Sequence, residues 1–119
     1  MHEYSIARSI LESVVSVQHQ EQLGSIPQVD VELGEFSGVE PVQLQAAYAA
    51  LSLEILGYPS EMQIQIVRLR GRCGRCQDEF VIENFQFHCP ACSSNDVQIV
   101  SGDELRILAV STLSQESEP

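Results

Sequence analysis

Two Cys-x-x-Cys pairs constrain this chain more than any other feature of its sequence. Cys73 and Cys76 form the first pair, Cys89 and Cys92 form the second, and twelve residues separate the two pairs. Two such turns, brought together by the hairpin between them, can offer four thiolates to one tetrahedral metal ion. Soft sulfur ligands select zinc, or iron in a rubredoxin-like site. Because four protein ligands leave no open position, we interpret the cluster as a structural zinc site and not as a catalytic or redox centre.

The acidic charge of the chain argues against two kinds of partner. Its 119 residues include 17 acidic and 6 basic ones, for a formal net charge of −11. Such a chain is a poor ligand for the phosphate backbone of nucleic acid, and an anionic membrane surface disfavours it for the same reason. Four of the arginines lie just before or within the first cysteine turn, where we interpret them as offsetting the negative charge of a thiolate-bound ion: Arg68, Arg70, Arg72 and Arg75.

The amino-terminal segment does not resemble a targeting sequence. It lacks the basic leader and the unbroken apolar run of a signal peptide, and no run approaches the ~18 apolar residues of a membrane helix. These observations predict a cytoplasmic protein without membrane insertion. Its cysteines are therefore expected to be reduced thiols or metal ligands.

The hydrophobic pattern predicts two helices and three strands outside the cysteine segment. Apolar residues at helical spacing predict a helix over 4–17, and Pro41 begins a second helix that Gly57 and Pro59 end. Alternation predicts strands over 28–33, 62–66 and 104–110, and shorter β-like pieces over 79–82, 85–87 and 97–100. The apolar stripes of the two helices are formed by Tyr4, Ala7, Leu11 and Val14, and by Leu44, Ala47, Tyr48, Leu51 and Ile55.

These elements predict an α+β or α/β fold with a small mixed sheet of about three strands, two helices and an inserted four-cysteine zinc-ribbon module. The strand–helix–strand order from the first strand to the second suggests a right-handed parallel crossover. We expect an α/β domain formed by residues 1–70 and 101–113, a zinc-binding module formed by residues 71–100, and a flexible tail over 114–119.

The first three residues offer a second set of metal ligands. The free amine of Met1, with the amide nitrogen and imidazole Nδ1 of His2, can chelate one ion through fused rings, and the amide or carboxylate of Glu3 can supply a fourth donor. A planar set of nitrogen and oxygen donors suits Ni(II) or Cu(II). From the tripeptide alone the commoner interpretation is that His2 is an exposed residue without a ligand, as we also interpret His19 and His88.

Taken together, these motifs resemble the HypA/HybF family of hydrogenase nickel-incorporation proteins. The resemblance covers about residues 1 to 110. It rests on the MHEYSIA start, the Gly-Glu-Phe-Ser loop over 34–37, the two cysteine pairs and the closing strand over 102–107.

The resemblance implies a nickel metallochaperone that delivers Ni(II) to the large subunit of [NiFe]-hydrogenase with the help of a GTPase, HypB. It implies nickel binding by Met1, His2 and Glu3. By its position in the loop before the second helix, Glu40 corresponds to an acidic residue that is linked to nickel in the family. In this interpretation nickel is the transported ion, and zinc at the four cysteines is structural.

Two other classes of function compete with this one. A zinc-ribbon interaction adaptor without metal-transfer activity is the main alternative. An enzyme is not expected, because the sequence offers no Ser/His/Asp or Cys/His arrangement, no phosphate-binding glycine loop and no open metal position. Any nucleotide hydrolysis must therefore come from a partner.

Overall fold

The computed structural model describes residues 2–112, which form two helices and six strands. In chain order these are α1 (Glu3–Gln20), β1 (Gln28–Gly34), α2 (Pro41–Ile55), β2 (Glu61–Val67), β3 (Arg70–Cys73), β4 (Glu79–Val81), β5 (Val97–Ser101) and β6 (Leu105–Ser111). The strands form two three-stranded sheets, with the orders β2-β1-β6 and β4-β3-β5. The predicted fold class is confirmed, whereas the predicted tail over 114–119 lies outside the described residues.

The chain divides into two compact units. Among the described residues, one unit, which we call the helical unit, comprises residues 2–31, 39–65 and 106–112. The other, the cysteine unit, comprises residues 32–38 and 66–105.

The core of the helical unit is built from the apolar stripes of its two helices. Buried positions recur three and four residues apart along α1 and α2, which is the spacing that places side chains on one helix face. These buried residues are Ala7, Ile10, Leu11 and Val14 on α1, and Leu44, Tyr48 and Leu51 on α2. Tyr4 was expected on the first stripe but is exposed at the beginning of α1.

Polar groups in this core are hydrogen-bonded. The Tyr48 hydroxyl lies 3.0 Å from Ser60 Oγ, and Ser60 Oγ donates to the Ile26 carbonyl oxygen at 2.8 Å. The Ser60 amide donates to Ser52 Oγ at 3.0 Å. A buried hydroxyl without such partners would be destabilising, so this network makes the burial of Tyr48 and Ser60 tolerable.

The first sheet is mixed, as the sequence predicted. The Glu61 amide donates to the Pro27 carbonyl at the beginning of β1 and β2, and the Glu35 amide donates to the Val67 carbonyl at their ends, each at 2.9 Å. These two strands therefore run parallel. The Gly34 amide donates to the Glu104 carbonyl at 2.8 Å, so the end of β1 lies beside the beginning of β6 and this pair is antiparallel.

The cysteine unit is organised around β3, which pairs antiparallel with both β4 and β5. The sequence pattern did not predict β3, because its Arg-Gly-Arg-Cys sequence places a glycine and a cysteine on the buried face. The strand-like piece predicted over 85–87 is wrong. The chain turns there instead, with Asn84 and Phe85 at φ values of 55° and 56° and the Gln86 amide bonded to the Glu83 carbonyl at 3.0 Å.

Candidate metal centres

The four cysteine sulfurs converge in the cysteine unit. All four Sγ atoms lie within 4.8 Å of one another. The Cys73–Cys92 and Cys76–Cys89 sulfur pairs are each 3.6 Å apart. A tetrahedral zinc ion with bonds of about 2.3 Å requires sulfur–sulfur distances of about 3.8 Å. The cluster is therefore the size of a single tetrahedral metal site.

Each cysteine pair lies on a turn with the same backbone hydrogen bonds. The Gln77 amide donates to the Cys73 carbonyl at 3.0 Å, and the Ser93 amide donates to the Cys89 carbonyl at 2.8 Å. In return the amides of Cys73 and Cys89 donate, at 2.9 Å each, to the carbonyls of the residues five positions further on. The first cysteine of each turn is buried and the second is exposed. The repeated Cys-x-x-Cys spacing thus produces two equivalent halves of one site.

Backbone amides and sulfur crowding move the thiol pKa values in opposite directions. The amides of Cys76 and Arg75 donate to Cys73 Sγ at 3.5 and 3.3 Å, and these bonds lower the pKa of Cys73 to about 6 against the effect of its burial. A hydrogen bond from the backbone amide of Asp78 lowers the pKa of Cys76. Hydrogen bonding with the neighbouring thiols and desolvation outweigh this bond and raise the pKa of Cys76 to about 12. Four sulfurs this close favour mixed protonation unless a cation neutralises them.

The arginines near this site contact carboxylates. Arg72 Nη2 lies 2.6 Å from Glu79 Oε2, and Arg70 lies 3.8 Å from the same carboxylate. The pKa of Glu79 is lowered first by its hydrogen bond with Arg72, and further by the positive charges of Arg72 and Arg70. Arg68 bridges Glu35 at 3.6 Å and Glu83 at 3.4 Å. Within the described residues, the direct contacts that offset thiolate charge therefore come from backbone N–H groups, and these three arginine side chains neutralise glutamates.

Two of the three histidines, His19 and His88, are not part of the cysteine site. His88 precedes Cys89 but is exposed, and it does not belong to the group of four ligands. His19 is exposed near the end of α1. Their positions agree with the interpretation of both as surface residues.

The beginning of α1 holds the residues expected to bind nickel. His2 occupies the N-cap position, where its carbonyl accepts the Ile6 amide at 2.9 Å and its side chain is exposed. Glu3 is only 5% exposed, and its Oε2 accepts the Glu40 amide at 2.8 Å. The hydrogen bond from the Glu40 amide holds the pKa of Glu3 below its ordinary value. The carboxylate is therefore ionised at neutral pH.

The side chains of His2, Glu3 and Glu40 do not converge on one point as the four cysteine sulfurs do. Within residues 2–112, the four cysteines are the single group of three or more His, Cys, Asp or Glu side chains close enough to share an ion. Glu40 meets Glu3 through its backbone, and its own side chain is exposed. Met1 lies outside the described residues. The Glu3–Glu40 contact joins residues 37 positions apart, and no local pattern in the sequence could have indicated it.

The fold and the cysteine cluster define a class of protein. It is a small α+β protein that contains two helices, a mixed sheet and a zinc-ribbon-like module with four cysteines. In the part of the chain that the structure describes, no helix is long and apolar enough to cross a membrane.

The chain belongs to the HypA family. A sequence profile described as hydrogenase/urease nickel incorporation, metallochaperone, hypA matches residues 1–112. The family is therefore one of nickel metallochaperones that act as maturation factors.

Relatives and solved structures agree with this assignment. The hydrogenase maturation factor HypA of Pelodictyon phaeoclathratiforme is 36% identical over 118 residues, covering 99% of this chain and 100% of the relative. HypA of Chlorobaculum tepidum is 37% identical, covering 90% and 95%. The solution structure of the nickel metallochaperone HypA from Helicobacter pylori has the same fold, with a TM-score of 0.70 at 24% identity over 94% of this chain and 97% of that one.

Proposed function

We propose that this protein carries Ni(II) for the maturation of [NiFe]-hydrogenase, binding the ion at its amino terminus and releasing it to the enzyme's large subunit. The ligands are the amine of Met1, the amide and imidazole nitrogens of His2, and Glu3, with Glu40 beside them. The ion is cargo, so the protein acts as a carrier without catalytic activity of its own. We place this work in the cytoplasm, together with a HypB-type GTPase that supplies the nucleotide hydrolysis.

The observation that carries the proposal is the buried Glu3 carboxylate at the beginning of α1, held by the Glu40 amide at 2.8 Å. The positive end of the helix dipole disfavours a cation at this position. An ionised carboxylate at the same helix end offsets that effect. The bond also fixes Glu3 next to the loop before α2, where Glu40 can approach the same ion.

We propose zinc as the ion of the cysteine cluster. The sulfur–sulfur distances of 3.6 Å fit zinc–thiolate bonds, and four soft ligands complete a tetrahedral site. Cys73, Cys76, Cys89 and Cys92 would each supply one bond. The ion's chemistry there is structural: it neutralises the crowded sulfurs and contributes its binding free energy to folding. Metal analysis of the purified chain distinguishes zinc from iron.

Calorimetric titration of Ni(II) into the untagged, zinc-loaded chain tests the nickel site. A native amino terminus is essential, because a tag would remove the amine that we assign to the chelate. We expect the wild type to bind about one nickel ion and His2→Ala to lose this binding, with zinc retained in both. His19→Ala is the matched control, because it removes an exposed histidine from the same helix and should bind as the wild type does.

The outcomes separate the proposed function from its alternative. Equal binding by His2→Ala and His19→Ala would show that the ligand set is wrong. If neither the wild type nor the variants take up nickel, a zinc-ribbon adaptor without metal-transfer activity becomes the better account. Nickel bound by wild type but not transferred to the metal-free large subunit would limit the protein to storage.

A further inference from the structure

Three phenylalanines form an exposed aromatic cluster in the cysteine unit. Phe36, Phe85 and Phe87 are 46%, 70% and 38% exposed. The ring of Phe36 lies 5.6 Å from that of Phe85 and 6.2 Å from that of Phe87, measured between centroids. These are ordinary distances for interacting rings. The chain has four phenylalanines in all, so most of its largest apolar side chains are at this surface and not in a core.

The backbone that presents Phe85 is unfavourable for this residue. Phe85 lies in the left-handed region, with φ 56°, at the second central position of the Glu83–Gln86 turn. Asparagine and glycine suit such positions, whereas a bulky side chain there is strained. Asn84 fulfils this preference at the first central position, and Phe85 does not. Folding alone would favour a small or polar residue at position 85, so the exposed ring points to a role in binding.

Two of these rings, those of Phe36 and Phe85, line a cavity of about 390 Å³. Leu69 and Ile82, both 3% exposed, form its apolar floor, and Phe36 and Phe85 line its sides. The polar lining consists of Glu35, Arg68, Glu83 and Asn84. An apolar pocket surrounded by charged groups is typical of sites that receive one anchoring side chain of a partner.

Charge selects among the possible occupants of this cavity. The cysteine unit contains four arginines and eight acidic residues. At the cavity, one guanidinium, that of Arg68, is shared between the carboxylates of Glu35 and Glu83. A second copy of this chain carries the same net charge of −11, and an anionic membrane is also repelled. A positively charged protein segment is the occupant that complements this surface.

We propose that the aromatic cluster and its cavity form a docking site for a basic segment of a partner protein. An apolar side chain of that segment enters the cavity, and flanking Lys or Arg residues lie against Glu35 and Glu83. The proposal concerns a protein contact and does not depend on the nickel site at the amino terminus.

A library of random 12-residue peptides displayed on phage is the probe, with the full-length, zinc-loaded chain as bait. Synthetic copies of the enriched peptides are then titrated against the wild type and Phe85→Asn. Asparagine tolerates a positive φ, so this variant removes the ring without disturbing the turn. Leu53→Gln is the matched control, because it removes a 57% exposed side chain from the helical unit.

We expect enriched peptides that combine an apolar residue with flanking Lys or Arg. Their affinity should fall at least tenfold in Phe85→Asn, stay unchanged in Leu53→Gln, and fall with added salt in the wild type. The proposal is overturned by peptides without basic residues, by unchanged affinity in Phe85→Asn, or by failure to enrich any peptide. It is also overturned if the wild type sediments as a dimer and Phe85→Asn sediments as a monomer. Binding of anionic vesicles by the wild type but not by Phe85→Asn would overturn it as well. Unchanged nickel titration in Phe85→Asn keeps this test separate from the nickel-carrier proposal.

Discussion

At the scale of single residues, both cysteine turns end on a side chain in the left-handed region of backbone space. Gln77 has φ 67° and Ser93 has φ 64°, and each directly follows the second cysteine of its pair. Glycine adopts this conformation without the clash between Cβ and backbone that other residues experience. The turns therefore store a small unfavourable energy that the metal site and the pairing of β3 must outweigh.

This strain makes Gln77 a site for stabilisation. Gln77→Gly should raise the free energy of unfolding of the zinc-loaded chain by about 0.5–1 kcal/mol, because glycine removes the steric cost at φ 67°. Urea unfolding measures the change. Gln43→Gly, an exposed position within α2, is the matched control and should lower stability by about 1 kcal/mol. Loss of stability in both variants would contradict the strain argument.

The Glu79 carboxylate gives the cysteine unit a defined acid dependence. Arg72 and Arg70 lower its pKa in the folded chain, so the folded state binds the Glu79 proton less readily than the unfolded state does. The resulting stabilisation is present above the unfolded pKa of a glutamate and is lost as pH falls through the lower folded pKa. In Glu79→Gln, stability should therefore fall at neutral pH and approach that of the wild type in acid.

Urea unfolding across an acid pH series, compared between Glu79→Gln and the wild type, measures this effect. Glu54→Gln, an exposed glutamate on α2, serves as the control for loss of one negative charge. A gap between Glu79→Gln and wild type that stays constant with pH would show that the ion pair with Arg72 does not carry the effect.

The sequence predicted some of the side-chain groupings described above and missed others. The cysteine cluster was predictable, because Cys-x-x-Cys fixes the geometry of each half within four residues. The Glu3–Glu40 contact was not, because it depends on how α1 packs beside the loop before α2. The aromatic cluster was missed because its three members belong to two loops that tertiary structure brings together.

At the scale of elements, the sequence located both helices and the ends of α2, but it ended α1 three residues too early. The helix predicted over 4–17 continues to Gln20, because the apolar pattern ends at Val17 while the polar residues after it still suit a helix. Pro41 begins α2 as predicted, and Gly57, at φ 86°, follows its end. Strand β3 has no apolar alternation of its own. Its pairing with β4 and β5 decides its conformation, and pairing partners are not visible in a local pattern.

The apolar face of α1 should dominate the stability of the helical unit. Leu11 is fully buried, so Leu11→Ala removes buried methyl groups and leaves a cavity. We expect a loss of about 2–4 kcal/mol in the free energy of unfolding, measured by urea denaturation. Leu53→Ala, the same change at the exposed side of α2, should alter stability by less than about 0.5 kcal/mol. Similar losses in both variants would show that the packing of α1 is not the main contribution.

At the scale of the whole molecule, the two units have different sources of stability. The helical unit has a core of large apolar side chains that its helices and strands supply. The buried cluster of the cysteine unit contains Leu69, Cys73, Phe80, Ile82 and Cys89, with Val97 packed against it. Two of the five buried members of this cluster are thus metal ligands. So small a cluster cannot offset the conformational entropy of the 47 residues of this unit without the ion.

Removal of the metal should therefore unfold the cysteine unit and leave the helical unit folded. Four unneutralised sulfurs within 4.8 Å of one another, two of them on buried cysteines, are unfavourable, and the apolar contacts that remain are too few to hold β3, β4 and β5 together. We expect a strong chelator to abolish amide hydrogen-exchange protection in those three strands while protection persists in α1 and α2. Adding zinc back should restore the protection of β3, β4 and β5. A double variant, Cys73→Ser with Cys89→Ser, should lack this protection whether or not zinc is added, as the chelated wild type does. Protection retained in β3 after complete metal removal would contradict this account, and loss of protection in α1 as well would show that the two units fold as one.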